Sequence, residues 1–151
     1  QKMNVTEDQK KKLNKLFESY KNRVKLIEAS TIQYDNKKEK IDNIERERYQ
    51  DLAKILTSDQ MLIFNEYINS KKMEFSAKND KIARTIDQLD LTNEQKSDIL
   101  KVERDFDRSL EKLTVKSISS PEFMSEYEKL KVIRNEGVMS ILTAEQKKLL
   151  D

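Results

Sequence analysis

Three observations predict an all-α fold of elongated antiparallel helical hairpins. One Gly and one Pro in 151 residues leave almost nothing to break helices rich in Lys, Glu, Gln and Leu. Apolar residues recur at spacings of three and four, the period of a single helix face. Finally, apolar residues make up 36% of the chain and charged residues 38%. That is too little core for a compact sphere, but enough for narrow apolar stripes along extended helices.

The elements follow in chain order. Leu13, Leu16, Tyr20, Val24 and Ile27 predict a first helix over about 7–30. Ile41, Ile44, Leu52 and Ile55 predict a second over about 36–55. A third, over about 58–89, carries Met61, Phe64, Ile68, Phe75, Ile82, Ile86 and Leu89. With no Gly or Pro inside it, this helix is expected to reach about 45 Å at 1.5 Å per residue. Ile99, Val102, Phe106, Leu110 and Leu113 place a fourth over about 93–116. A fifth, over 121–141, opens with Ser120 as a cap, Pro121 in the first turn and Glu122 at the positive end of the dipole. A final stub starts near residue 144. The stretch "VKSISS" before the fifth helix is the most flexible-looking segment.

A short motif is written four times: "NVTEDQ" from Asn4, "ILTSDQ" from Ile55, "DLTNEQ" from Asp90 and "ILTAEQ" from Ile141. Val5 to Leu56 spans 51 positions, and so does Leu91 to Leu142. An ungapped offset of 86 superposes both pairs and the apolar stripes between them, although only ten of the 65 aligned pairs are identical. A kept core pattern with drifting surface residues is the signature of an internal structural repeat. The expected organisation is one domain, 1–151, made of repeats at about 5–65 and 91–151 and joined by a long helix at about 58–89.

Thr followed three residues later by Gln is a capping box. The Thr hydroxyl accepts from the Gln backbone N–H, and the Gln amide reaches back to the Thr N–H. Thr6 with Gln9, Thr57 with Gln60, Thr92 with Gln95 and Thr143 with Gln146 therefore mark helix starts, each worth about 1 kcal/mol. Without a neighbouring base, metal or nucleophile, Thr and Gln do no acid–base or covalent chemistry. A second paired feature is Arg48 and Arg134, which fall at equivalent positions in the stripes of the second and fifth helices. Either each snorkels at the edge of its stripe, or each meets a carboxylate or helix-end carbonyls and fixes the register of its hairpin.

Composition narrows the function classes. There is no Cys and no His, which removes thiol chemistry, imidazole acid–base work and the usual zinc ligand sets. No nucleophile–base pair, phosphate loop or metal set is visible, so neither an enzyme nor a cofactor is expected. No apolar run approaches the ~20 residues needed to span a membrane. The net charge is +2 but uneven: residues 1–40 carry 11 Lys/Arg against 6 Asp/Glu, while the remainder is nearly balanced. Lys10, Lys11, Lys12 and Lys15 form either a solvated helix face or a contact surface for acidic partners. Nucleic acid is not expected, since no binding motif accompanies the charge. The chain starts at Gln1 rather than Met, which fits a cleaved secretory leader or a trimmed start.

Repeated Leu-Thr-x-x-Gln in a small, charged, helical chain resembles the Spy/CpxP family of periplasmic proteins. The residues carrying the resemblance are 56–60, 91–95 and 142–146, with 5–9 as a variant that has Val for Leu. Members usually carry two motifs and pair into a curved, cradle-like dimer of hairpins. Four motifs resemble two such units in tandem, implying a cradle closed within one chain. The resemblance implies an ATP-independent periplasmic holding chaperone for unfolded envelope proteins. The alternative it implies is a regulatory or scaffold module that docks on one partner, such as a sensor protein. The family's metal-binding branch does not fit a chain without His. Beside the four lysines, the apolar residues Met73, Phe123 and Met124 are candidate client contacts, with a place in the core as the other reading.

Overall fold

The computed structural model describes residues 3–76, 78–116 and 119–149, and every regular element among them is a helix. The elements are α1 (Glu7–Glu28), α2 (Tyr34–Ile55), α3 (Ser58–Glu74), α4 (Lys81–Gln88), α5 (Asn93–Thr114), α6 (Ser120–Ile141) and α7 (Ala144–Lys148). Four of them have 22 residues, and the bounds of α1 and α5, and of α2 and α6, differ by 86 positions. All four Thr/Gln motifs form complete capping boxes, at the starts of α1, α3, α5 and α7.

The expected single helix over 58–89 is instead two helices, broken between Phe75 and Asp80. The break needs no Gly or Pro, because side chains supply the competing hydrogen bonds. Asn79 Nδ2 donates to Met73 O (2.9 Å), and the Asp80 carboxylate accepts from Ile82 N (3.0 Å) as the cap of α4. A smaller correction concerns α6. Its cap is Ser119, accepting from Glu122 N, while Ser120 is the first helical residue. Ser117 and Ile118 of the preceding loop lie outside the described residues, as does Gln1.

α1 packs along α2 and α5 along α6, as two antiparallel hairpins. The direction is set by cross-links that run oppositely along the two helices. Within the first hairpin these are Tyr20 Oη to Asp51 (2.6 Å) and Arg23 Nη1 to Glu47 (2.9 Å). In the second, a Cβ added to Gly137 of α6 would stand 3.1 Å from a Val102 methyl of α5, so the lone Gly lets these helices approach closely.

The hairpins lie head to tail. Gln33, at the turn of the first, meets Asn93 at the start of α5, and Lys10 and Leu13 near the start of α1 face Val115 and Lys116 beyond the end of α5. α5 is the most enclosed helix, packing against α1, α2, α3 and α6. α3 crosses onto the second hairpin through Phe75 against Phe106 (4.7 Å between ring centroids) and Tyr67 against Phe123 (5.5 Å). The larger core cluster joins both hairpins through Leu13, Phe17, Leu52, Phe106, Leu110 and Tyr127, and Tyr20, Val24, Ile41 and Ile44 form a second cluster inside the first hairpin. Among the described residues, no helix is long and apolar enough to cross a membrane.

Candidate functional site

Each motif glutamine does more than cap its own helix. Gln9 Nε2 donates to Gln60 Oε1 (2.8 Å), and Gln60 Nε2 donates back to Gln9 Oε1 (3.1 Å). Gln95 and Gln146 form the same reciprocal pair at 2.8 and 3.4 Å. Gln9 and Gln95 also reach the last carbonyl of the neighbouring helix, at Ile55 (3.0 Å) and Ile141 (3.3 Å). The motif pairs thus knot the open end of each hairpin. The signal for this was the shared spacing of 51, which brings two caps together once the intervening helices fold back. The two knots differ: Gln60 is buried and also donates to the carbonyls of Met3 and Asn4.

Arg48 and Arg134 are 6% and 3% exposed, so neither snorkels to the surface. Arg48 pairs with Glu45 on its own helix and, through both terminal nitrogens, with Glu111 on α5. It therefore ties the first hairpin to the second and does not set the register within its own. Arg134 reaches Glu103 across its own hairpin (3.1 Å) and Asp80 at the α3–α4 break (2.9 Å), with its guanidinium over the Phe75 ring at 4.7 Å. Burial raises the carboxyl pKa of Glu103 and Glu111 above the ordinary range, opposed by the arginine beside each.

An open groove runs between α1 and α5. Its larger part, about 450 Å³, has a floor of Leu13, Phe17, Leu113, Val115 and Leu130 with Lys10, Lys112, Lys116 and Glu126 at the edges. A second part of about 280 Å³ shares Phe17, Ser109 and Lys112 with the first and adds Lys21, Lys25, Arg108 and Asp105. Lys21, Lys25, Lys112 and Lys116 make no ion pair among the described residues. Arg108 bonds Asp105. Partial burial raises the pKa of the half-buried Glu28 carboxyl, while the charges of Arg108, Lys101 and Lys25 beside it oppose the rise. The groove thus has a largely closed apolar floor, with Leu13, Phe17, Leu113 and Val115 at 1–8% exposure and only Leu130 half-buried, under a rim with an excess of positive charge.

The binding residues expected from the sequence do not gather in this groove. Lys10 lines it, half-buried, and is paired with Glu7 at 3.3 Å. Lys11, Lys12 and Lys15 are exposed, with Lys12 paired to Asp8. Phe123 packs against the core between Tyr67 and Tyr127. Met73 and Met124 are exposed at 55% and 44%, and neither lines the groove. No local run in the sequence marks Lys21, Lys25, Lys112 and Lys116; only the α1–α5 contact assembles them. Compared with family models, curated proteins and solved structures, the chain shows no match.

Proposed function

We propose that this protein is an ATP-independent holding chaperone that binds unfolded or aggregation-prone proteins. The observation carrying this reading is the open α1–α5 groove, where Lys21, Lys112 and Lys116, which make no ion pair among the described residues, border half-buried Leu130 and the edges of the core residues Phe17 and Leu113. An unfolding chain presents apolar side chains and charge together, and such a surface takes both without a folded counterpart. The head-to-tail hairpins support an internal repeat arranged about a pseudo-twofold, as a cradle within one chain. A periplasmic location belongs to the same reading and rests on the motif resemblance.

The test is light scattering from two unrelated, chemically unfolded clients. Expected is suppression of aggregation near one chain per client, weakened by added salt as exposed charges are screened. No suppression of either client overturns the proposal. Tight binding to one folded sensor domain, with no protection of clients, replaces it with the docking-module reading.

A further inference from the structure

The two parts of the groove are chemically unequal, and their order along α1 specifies an occupant. At the Lys10 end the floor is mostly apolar, with Leu13, Phe17, Leu113, Val115 and Leu130. Beyond Phe17 the lining turns cationic, with Lys21, Lys25, Arg108 and Lys112 against the single lining carboxylate of Asp105, and Glu28 close by. Arg108 is 8% exposed, and one of its terminal nitrogens has no hydrogen-bond partner although it is buried. Glu28, which feels Arg108 and Lys25, answers part of this charge, and the ammonium groups of Lys21 and Lys112, with no ion pair among the described residues, favour further carboxylates. Fifteen helical residues separate Lys10 from Lys25, about 22 Å at ~1.5 Å per residue. An extended strand at ~3.3 Å per residue covers that length in about seven residues.

We infer that the groove is built for an extended protein segment of about seven residues, with an apolar side chain against half-buried Leu130 at one end and carboxylates along Lys21, Lys25 and Lys112 at the other. This rests on the holding function proposed above and narrows it: acidic segments next to an apolar anchor are the preferred part of a client. Charge complementarity selects this occupant, because the unpaired lysines border the floor itself and do not lie scattered over the outer face of α1.

The probe is a fluorescently labelled heptapeptide with Phe and Leu at one end and four Asp at the other, made in both chain directions. Its control has Asn in place of every Asp. Anisotropy titration of the full chain is expected to give at least tenfold tighter binding of the Asp peptide, in one direction more than the other, with the gap closing as salt rises. The variant Lys21→Gln/Lys25→Gln/Lys112→Gln is expected to lose most of this preference. Lys11→Gln/Lys12→Gln/Lys15→Gln, with the same change of net charge on the outer face, is expected to keep it. Equal affinity for the Asp and Asn peptides overturns the inference without any variant, as does an equal loss in the two triple variants. A chain that protects unfolded clients yet binds both peptides alike refutes the acidic preference and leaves the holding function standing. One that binds the Asp peptide through the groove and protects no client supports the groove's chemistry and refutes the holding function.

Discussion

A glutamine side chain offers two donors and one acceptor oxygen, and Gln60 uses all of them. Its oxygen accepts from Thr57 N (2.9 Å) and from Gln9, and its nitrogen donates to Gln9 and to the carbonyls of Met3 and Asn4. Gln146 has only the capping bonds and the Gln95 amide, and is half-exposed. Removing a buried group leaves its partners unsatisfied, whereas water repairs an exposed loss. Gln60→Ala is therefore expected to destabilise by about 3 kcal/mol and Gln146→Ala by about 1 kcal/mol in urea unfolding. Equal losses would mean that the burial of Gln60 and its bonds to Met3 and Asn4 add nothing. Arg48 follows the same logic with charge. Arg48→Met strands Glu111 in the interior, at a cost of about 3–5 kcal/mol. Arg48→Met/Glu111→Leu is expected to recover most of that, since an apolar pair of similar volume needs no desolvated charges. If the single variant were as stable as the parent, the α2–α5 tie would be dispensable.

Among the elements, α5 and α6 differ from α1 and α2 in having a glycine, Gly137, packed against Val102. Glycine inside a helix costs about 1 kcal/mol relative to alanine, yet a Cβ here would press on both Val102 methyls at 3.1 and 3.2 Å. Gly137→Ala is expected to give no net gain by itself. In a Val102→Ala background the same change is expected to stabilise by about 1 kcal/mol, read as a double-mutant cycle in thermal melts. A full gain in the parent would show that Val102 yields freely. The α3–α4 break is likewise an element-scale matter. Asn79 and Asp80 stop one helix and start the next by bonding backbone groups that a continuous helix would use internally. Arg134 then holds the break against the second hairpin.

Over the whole molecule, buried charge shapes the response to pH. Desolvation is the largest cause raising the carboxyl pKa of Glu28, Glu103 and Glu111 above the ordinary value of 4.5. Between the unfolded value and the raised folded one, the folded state binds more protons, so stability rises as pH falls from neutral toward about 4.5. Asp51, lowered first by its bond from Tyr20, acts oppositely, and so does Glu74, which Tyr127 and Lys71 hold down against desolvation; their contribution is lost below about pH 4. The melting temperature is thus expected to be higher near pH 4.5 than at pH 8 and to fall again below about pH 4, in a series of melts from pH 8 to pH 3. A monotonic fall from pH 8 would contradict the raised carboxyls.

Local chemistry was legible in the sequence because it acts within a few residues. Capping boxes at Thr6, Thr57, Thr92 and Thr143, the 22-residue helices between them and the apolar stripes all follow from hydrogen bonds and periods that close within one or two turns. The break at 75–80 is not legible in the sequence, because Asn79 and Asp80 carry a weaker stop signal than Gly or Pro. The remaining contacts join residues distant in the chain. Gln9 meets Gln60 and Arg48 meets Glu111 only when helices fold back on one another. The groove is the clearest case. Leu13, Phe17, Lys21 and Lys25 come from α1, while Leu113 and Lys112 come from α5. Sequence patterning tells each helix which face to bury, but the packing of two helices determines which buried edges stay open and which lysines end up beside them.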